Sequence, residues 1–455
     1  MNAFAPADTL HRLVKQALDS GEASCREEAE ATFRGYRLAF AVGAEEARDP
    51  GHQAALLTGV ALARRVFLGG VSVIGRVDVP LRVPLPLGPT LGEAILALGG
   101  TLTDSVTDAP IVSIGGDPQP RAGGFHVRTA FAGWRGGIAP AHAEVARPGG
   151  PAMPLAAMLS AALAVNEAFL FVRRENGVAG RRTLGLSLWD PSPGPDWLTG
   201  DGTEPDLRYL PAHLWLLGLG HLGQAFLWGL GLLPYPEPSG LMLVLQDADV
   251  ITPSSESTSI LTEPGAVGRK KTREMAAWAE RRGFATAIQE RLFDASFRRQ
   301  DSEPAVALCG LDNALGRRAL DCAGFGLVVE AGLGRGYRDF RSIRLHTLPG
   351  PRPAAELWKG AEKGEDVQGR AAYQRMLKDG ELDRCGVTLL AGKAVGAPFV
   401  GAVAACLALA EVLRQLHGGP LHQVVDLDLQ SIEHRSAVVH GSRFCDLNPG
   451  YVPVG

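Results

Sequence analysis

The feature that most constrains this chain is a glycine turn set between a short apolar run and a helix. Leu214-Trp-Leu-Leu reads as a buried strand, runs directly into Gly218-Leu-Gly220-His-Leu-Gly223, and gives way to helical sequence over Gln224–Leu233. Strand, glycine turn and helix in that order are the start of a nucleotide-type βαβ unit. Gly218 permits the tight turn, Gly220 lets backbone approach a ligand, and Gly223 lets the helix pack on the strand. Unpaired amides and the positive helix end then face an anion. A lone loop of this kind can also be a plain tight turn, so its surroundings decide. A second apolar run, Gly240-Leu-Met-Leu-Val-Leu-Gln, ends in Asp247-Ala-Asp249-Val250, where a carboxylate can accept from ribose hydroxyls.

The chain has 455 residues, 46% of them apolar and 21% charged, enough for more than one core. A Gly/Pro/Asp-rich stretch from Trp189 to Asp206 is the natural boundary, giving expected domains over 1–195 and 207–455. A net charge of −4 offers no basic field for nucleic acid or anionic lipid. The two most apolar windows, Leu155–Val172 and Ala394–Leu416, are interrupted by Glu167 and Glu411 and read as buried helices, so no membrane partner is expected. The N-terminal MNAFAPADTLHRLVKQ lacks the features of a secretory signal and reads as an amphipathic helix, so a cytoplasmic protein is expected. The six cysteines, Cys25, Cys309, Cys322, Cys385, Cys406 and Cys445, form no CxxC pair, which argues against zinc.

The first half also alternates, with helices expected at Ala54–Phe67 and Thr90–Leu98 and strands at Val71–Val77 and Ala109–Ile114. Its late helix echoes the second half. Pro154, Ala161, Leu163, Ala164 and Glu167 match Pro398, Ala405, Leu407, Ala408 and Glu411 without gaps, which reads as a degenerate duplication.

Beyond the second strand, Ser254-Ser255 comes first, then Val267-Gly268-Arg269-Lys270-Lys271 opening a helix, then Asp312-Asn313 and Arg317 after a further strand. This ordered series resembles the ThiF, MoeB and HesA family of ubiquitin-activating-type adenylating enzymes. The resemblance implies an α/β fold of two Rossmann-like adenylation lobes, the N-terminal one degenerate and the C-terminal one active. It implies cofactors ATP and Mg²⁺, with Gly218, Gly220, Gly223, Asp247, Asp249, Lys271, Asn313 and Arg317 at the nucleotide, Lys271 against the phosphates, and Asp312 on the metal. An ammonium and a metal neutralise the charge that develops when a carboxylate attacks the α-phosphate. Asn313 and Asp312 could equally cap the helix that follows. There is one departure. The family's Asn and phosphate-facing Arg fall at Ser255 and Thr258, so the charge must come from elsewhere, with Arg269, Lys270 or an arginine from the first half, such as Arg34 or Arg37, as candidates.

The segment around 350–390 ends in Asp383-Arg-Cys385-Gly-Val-Thr388, after a plausible helix at Ala371–Lys378. This Cys-x-Val-Thr arrangement resembles the catalytic loop of activating enzymes that form a thioester. A thiol near arginine and loop dipoles can be activated to attack an acyl adenylate. The resemblance therefore implies a ubiquitin-like protein C-terminus and a conjugating-type enzyme as partners, as in bacterial conjugation operons including the Bil antiphage type, and allows a homo-oligomer. Three other readings stay open: a sulfur- or cofactor-pathway adenylyltransferase without a thioester step, a non-catalytic nucleotide-binding module, and an NAD oxidoreductase, which has no use for Lys271 and Asp312.

Overall fold

The computed structural model describes residues 4–105, 108–116, 124–144, 152–194, 196–200, 202–360, 366–441, 444 and 447–454. Cys445 lies outside them. Helices α1 (Arg12–Ser20) and α2 (Arg26–Arg34) precede a seven-stranded sheet. Its strands are β1 (Leu38–Val42), β2 (Val71–Ile74), β3 (Thr101–Leu102), β4 (Ile111–Ile114), β5 (His126–Ala132), β6 (Arg135–Pro140) and β7 (Leu184–Ser187). They lie in the order β3-β2-β1-β4-β5-β6-β7, parallel through β5 and antiparallel thereafter. α3 (Pro50–Ala63), α4 (Leu91–Ala97) and α5 (Pro154–Arg173) cover it. The helix expected at 54–67 begins earlier because Asp49 caps it, accepting from the His52 N–H at 2.9 Å, with Pro50 at its first position. The strand expected at 71–77 stops at Ile74 because Gly75 turns out at φ 145°.

β8 (Tyr209–Pro211) leads from the linker into a second, eight-stranded sheet. That sheet contains β9 (His213–Leu217), β10 (Met242–Gln246), β11 (Ala285–Gln289), β12 (Val306–Cys309), β13 (Leu327–Leu333), β14 (Ser342–Leu348), β15 (His422–Asp428) and β16 (Ser436–Val439). The order β11-β10-β9-β12-β13-β14-β15-β16 is again parallel through the first five and antiparallel beyond. β17 (Tyr451–Pro453) returns to pair with β8. The helices are α6 (His221–Leu232), α7 (Lys271–Arg282), α8 (Ala314–Arg318), α9 (Ala354–Leu357), α10 (Ala371–Lys378), α11 (Arg384–Gly392) and α12 (Pro398–Leu416).

Strand for strand, the two sheets correspond: β1 with β9, β4 with β12, β6 with β14 and β7 with β15. The matched helices fall in equivalent places, α5 between β6 and β7 and α12 between β14 and β15. Even the matched acids do the same work. Glu167 Oε2 accepts from Gly180 N–H at 2.9 Å just before β7, and Glu411 Oε2 accepts from His422 N–H at 3.0 Å at the start of β15. Each carboxylate is buried and paired with an arginine, Arg182 and Arg414 respectively.

α5 and α12 are both long and apolar enough to cross a membrane, yet 89% of each window is buried in the fold. They bury each other in part, with α3 also packed on α5 and α6 on α12. Cys406 Sγ of α12 lies 3.4 Å from the Leu155 carbonyl of α5, and the Phe169 and Phe399 rings are 5.9 Å apart. Gly229 of α6 is needed here, since a Cβ would fall 2.5 Å from Leu409 and 3.2 Å from Leu155. Both sheets thus share one apolar core.

Because Arg414 is fully buried against Glu411, removing the acid alone strands a charge. Glu411→Leu should cost about 3 to 5 kcal/mol in urea unfolding, and adding Arg414→Met should recover much of it. A single-variant loss under about 1 kcal/mol would contradict this account.

Candidate nucleotide-type site

In the second sheet the chain moves outward from β9 to β10 and β11, then crosses back to β12 on the other side of β9. A crevice opens at the C-terminal strand ends where the order reverses. The loops after β9 and β12 form it, and it holds a cavity of about 530 Å³. Gly218 sits at φ 82°, and a Cβ on Gly223 would come 2.0 Å from the Gly218 carbonyl, so helix and strand approach only without one. A Cβ on Gly220 would meet nothing within 4 Å, leaving this stretch of backbone open to the cavity.

Asp247, at the end of β10, closes on the loop: Oδ2 accepts from Leu219 N–H at 2.7 Å and Oδ1 from Asp249 N–H at 2.8 Å. Lys271 opens α7 and reaches Asp249 at 2.9 Å and Asp247 at 3.7 Å. Burial works to lower its pKa, but Asp247, Asp249 and Asp312 together outweigh that and raise it, so the ammonium is secure. Asp312 and Asn313 follow β12 and line the same cavity. Asn313 is the cap of α8, accepting from Gly316 N–H at 2.7 Å, so its side chain has the structural role that the sequence left open. Among the described residues, no hydrogen bond or salt bridge engages the Asp312 carboxylate. Arg317 lines the cavity from behind, donating to the Leu311 carbonyl at 2.9 Å and lying 3.0 Å from the buried Glu330.

The candidate cations for the missing arginine are not where the sequence put them. Arg34 pairs with Glu30 at 2.7 Å, Arg269 pairs with Glu274 at 3.1 Å, Lys270 donates to the Ala248 carbonyl, and none of these, nor Arg37, lines the cavity. The cations that do line it are Lys271, Arg291, Arg317, Arg335, Lys393 and Arg12, and Arg12 is the one that comes from the first half of the chain, in the first turn of α1. Its guanidinium donates to Ser254 Oγ at 3.0 Å and its N–H to Ser257 Oγ at 3.2 Å. Burial lowers its pKa, while Asp8 and Asp312 oppose that. The serine-rich segment that replaces the family's Asn/Arg motif is therefore the seat of an arginine from the far end of the chain. The sequence pointed to an arginine from the first half, but not to this one.

Cys385 is exposed in the first turn of α11, a helix rather than the expected loop, because Asp383 caps it by accepting from Gly386 N–H at 2.7 Å. It does not line the cavity. The other end of α11 does, at Gly392 and Lys393, which puts Cys385 about 10 Å away along the helix. Asp8 pairs with Lys393 at 2.7 Å across that end.

Residues 37–188 match the BilD N-terminal domain and residues 210–419 the BilD C-terminal domain. A bacterial E1-like protein BilD from Collimonas sp. (strain OK412) is 44% identical over 451 residues, 97% of each chain. The chain belongs to the BilD family of bacterial E1-like proteins. Among solved structures, E. coli MccB with ATP is similar at 17% identity and a TM-score of 0.32, over 48% of this chain and 60% of MccB. MccB with N-formylated MccA is similar at 17% identity and a TM-score of 0.33, over 48% of this chain and 61% of MccB. The chain thus spans about three fifths of MccB's length.

For this BilD-family chain the two loop glycines should separate on substitution. Gly223→Ala should lower the melting temperature by several degrees, because its methyl meets backbone, whereas Gly220→Ala should leave it within about one degree. Equal effects would mean the loop is not packed as described.

Proposed function

We propose that this chain activates the C-terminal carboxylate of a ubiquitin-like carrier protein with ATP and then transfers the acyl group to Cys385. The observation that carries the first step is the convergence of Arg12, Lys271 and an unengaged Asp312 on a glycine loop at a helix N-terminus. The carrier carboxylate attacks the α-phosphorus and pyrophosphate leaves. Arg12, Lys271 and the loop amides take up the charge gained by the phosphate oxygens. Asp247 supplies the acceptor for ribose hydroxyls. A hard divalent cation fits Asp312, whose carboxylate makes no hydrogen bond or salt bridge among the described residues, and Mg²⁺ held there would supply charge neutralisation at the phosphates. Membership among E1-like proteins agrees with this reading.

In the second step a thiolate at Cys385 displaces AMP from the acyl adenylate, leaving a thioester for a conjugating-type enzyme to accept. The distance of Cys385 from the cavity requires α11 to move. That same distance favours, as a second reading, an adenylyltransferase that stops at the acyl adenylate.

The first sheet plays the part of an inactive counterpart in this proposal. Its equivalent crevice follows β1 and β4, and there Glu46 fills the space: a Cβ on Gly43 would come 2.1 Å from Glu46 Oε2, and one on Gly116 3.2 Å from Oε1. A carboxylate in that position repels phosphate. What this lobe contributes instead is a platform, and the segment before it delivers Arg12.

Carrier-dependent ATP–pyrophosphate exchange tests the first step. Lys271→Ala and Arg12→Ala should each reduce it about 10- to 100-fold, as loss of a charged contact worth roughly 1.5 to 3 kcal/mol requires. Arg34→Ala should not change it. Calorimetry that finds NAD binding and no ATP binding would overturn the proposal. Cys385→Ala should keep exchange but lose the reductant-sensitive adduct with the carrier on a gel. An adduct that survives this change, or brisk exchange with no adduct at all, selects the adenylyltransferase reading.

A further inference from the structure

The glycine loop carries a side chain that the chemistry above leaves without a task. His221, between Gly220 and Leu222, is the first residue of α6 and lines the cavity. Its ring packs against the first turn of α12. A Cβ on Gly401 would fall 2.4 Å from Nε2 and 2.5 Å from Cδ2, so the imidazole fits only because residue 401 is glycine. On its other side, Nδ1 is 3.9 Å from where a Cβ of Gly396 would be, and that same position is 3.2 Å from Thr258 Cγ2. Gly396 and Thr258 also line the cavity. His221 thus shares a wall with Thr258, the position of the family's missing arginine, and with the small residues that lead toward Lys393.

The two ring nitrogens have different surroundings. Nε2 is sealed from solvent and has no hydrogen bond of good geometry. It rests on the turn that carries the Ala397 and Pro398 carbonyls, which draw a proton toward the ring. Burial is the larger effect and pushes the His221 pKa down to about 4, so the ring is neutral at working pH. A neutral imidazole whose N–H is turned to α12 through Nε2 keeps its lone pair at Nδ1, on the Gly396 side. Such a lone pair repels phosphate and carboxylate oxygens and attracts an N–H. The N–H nearest a polypeptide's terminal carboxylate is the amide of that same last residue. A group this weakly basic does not take a proton from a thiol at neutral pH, so its use is in binding.

We propose that His221 Nδ1 accepts a hydrogen bond from the amide N–H of the carrier's terminal residue and so sets the carboxylate against the α-phosphate. It is a binding and positioning residue, and the ligand group it reads is the secondary amide whose N–H belongs to the residue that carries the carboxylate. A peptide-linked terminus satisfies it, whereas a terminal proline or an ester-linked terminus does not. The inference rests on the activation reading of the preceding section, because it needs a polypeptide C-terminus in this cavity.

The test uses the full chain and a ubiquitin-like carrier ending in glycine that supports pyrophosphate exchange. By semisynthesis the terminal glycine is replaced with glycolic acid, which changes the last N–H to oxygen and little else. With the wild-type enzyme this should lower kcat/KM for the carrier about three- to tenfold, the worth of one neutral hydrogen bond, and leave the KM for ATP unchanged. In His221→Phe, and in His221→Leu should the larger ring unfold the loop, the glycine carrier should lose a similar factor. The glycolate carrier should then differ from it by less than about twofold, since the two changes delete the same bond. Losses that multiply, or a wild-type enzyme indifferent to the ester, would overturn the role of His221 while leaving activation intact. If no glycine-ending carrier ever supports exchange, the activation reading has failed and takes this inference with it.

Discussion

A parallel sheet that reverses its strand order leaves the ends of two neighbouring strands exposed, and here the glycine loop and Asp312 are gathered at that point. The loop after β9 brings amides and a helix N-terminus, and the loop after β12 brings Asp312. Neither could meet a ligand alone. The close packing of Gly218 and Leu222 against Gly310 fixes their relative height, and Asp247 ties the loop to β10 through Leu219 N–H. The site is polar and charged at its floor, so it depends on the apolar wall of α6 and α12 behind it for rigidity.

The second dependence is between lobes. Lys271, Lys393, Arg291, Arg317 and Arg335 of the second half already give the cavity positive charge. Arg12 adds to it by crossing from the segment before the first sheet to Ser254 and Ser257. The same segment reaches α11, where Asp8 meets Lys393 and the buried Lys15 lies 3.4 Å from the Ala391 carbonyl. Lys15 is held by Asp19 at 2.5 Å, and Tyr373 of α10 donates to that carboxylate. One short stretch of chain therefore touches both the cavity and the helix that bears Cys385.

Local order was legible in the sequence, and long-range supply was not. The glycine loop, Asp247, Lys271 and Asp312 are each fixed by the few residues around them, and the structure brings all of them to one cavity. The match between Pro154–Glu167 and Pro398–Glu411 was also readable, because two equivalent core helices face equivalent packing demands. Arg12 was not readable, since its partners are serines of another lobe and no periodicity links them. Asn313 shows a different limit: one side chain can suit two tasks, and only geometry reveals that the helix cap has claimed it. For Cys385, a polar run suggested a loop, yet an aspartate cap two residues earlier turned the segment into helix.

The central claim is that a phosphate site in the second lobe is completed by an arginine from the first segment of the chain. A crystal structure with a non-hydrolysable ATP analogue and Mg²⁺ tests it most directly. The account predicts phosphates over the Gly220–Leu222 amides, with Arg12 and Lys271 both in contact with them and Asp312 on the metal. Nucleotide bound in the crevice of the first sheet, or phosphates seated in the second with Arg12 turned away from them, would contradict it.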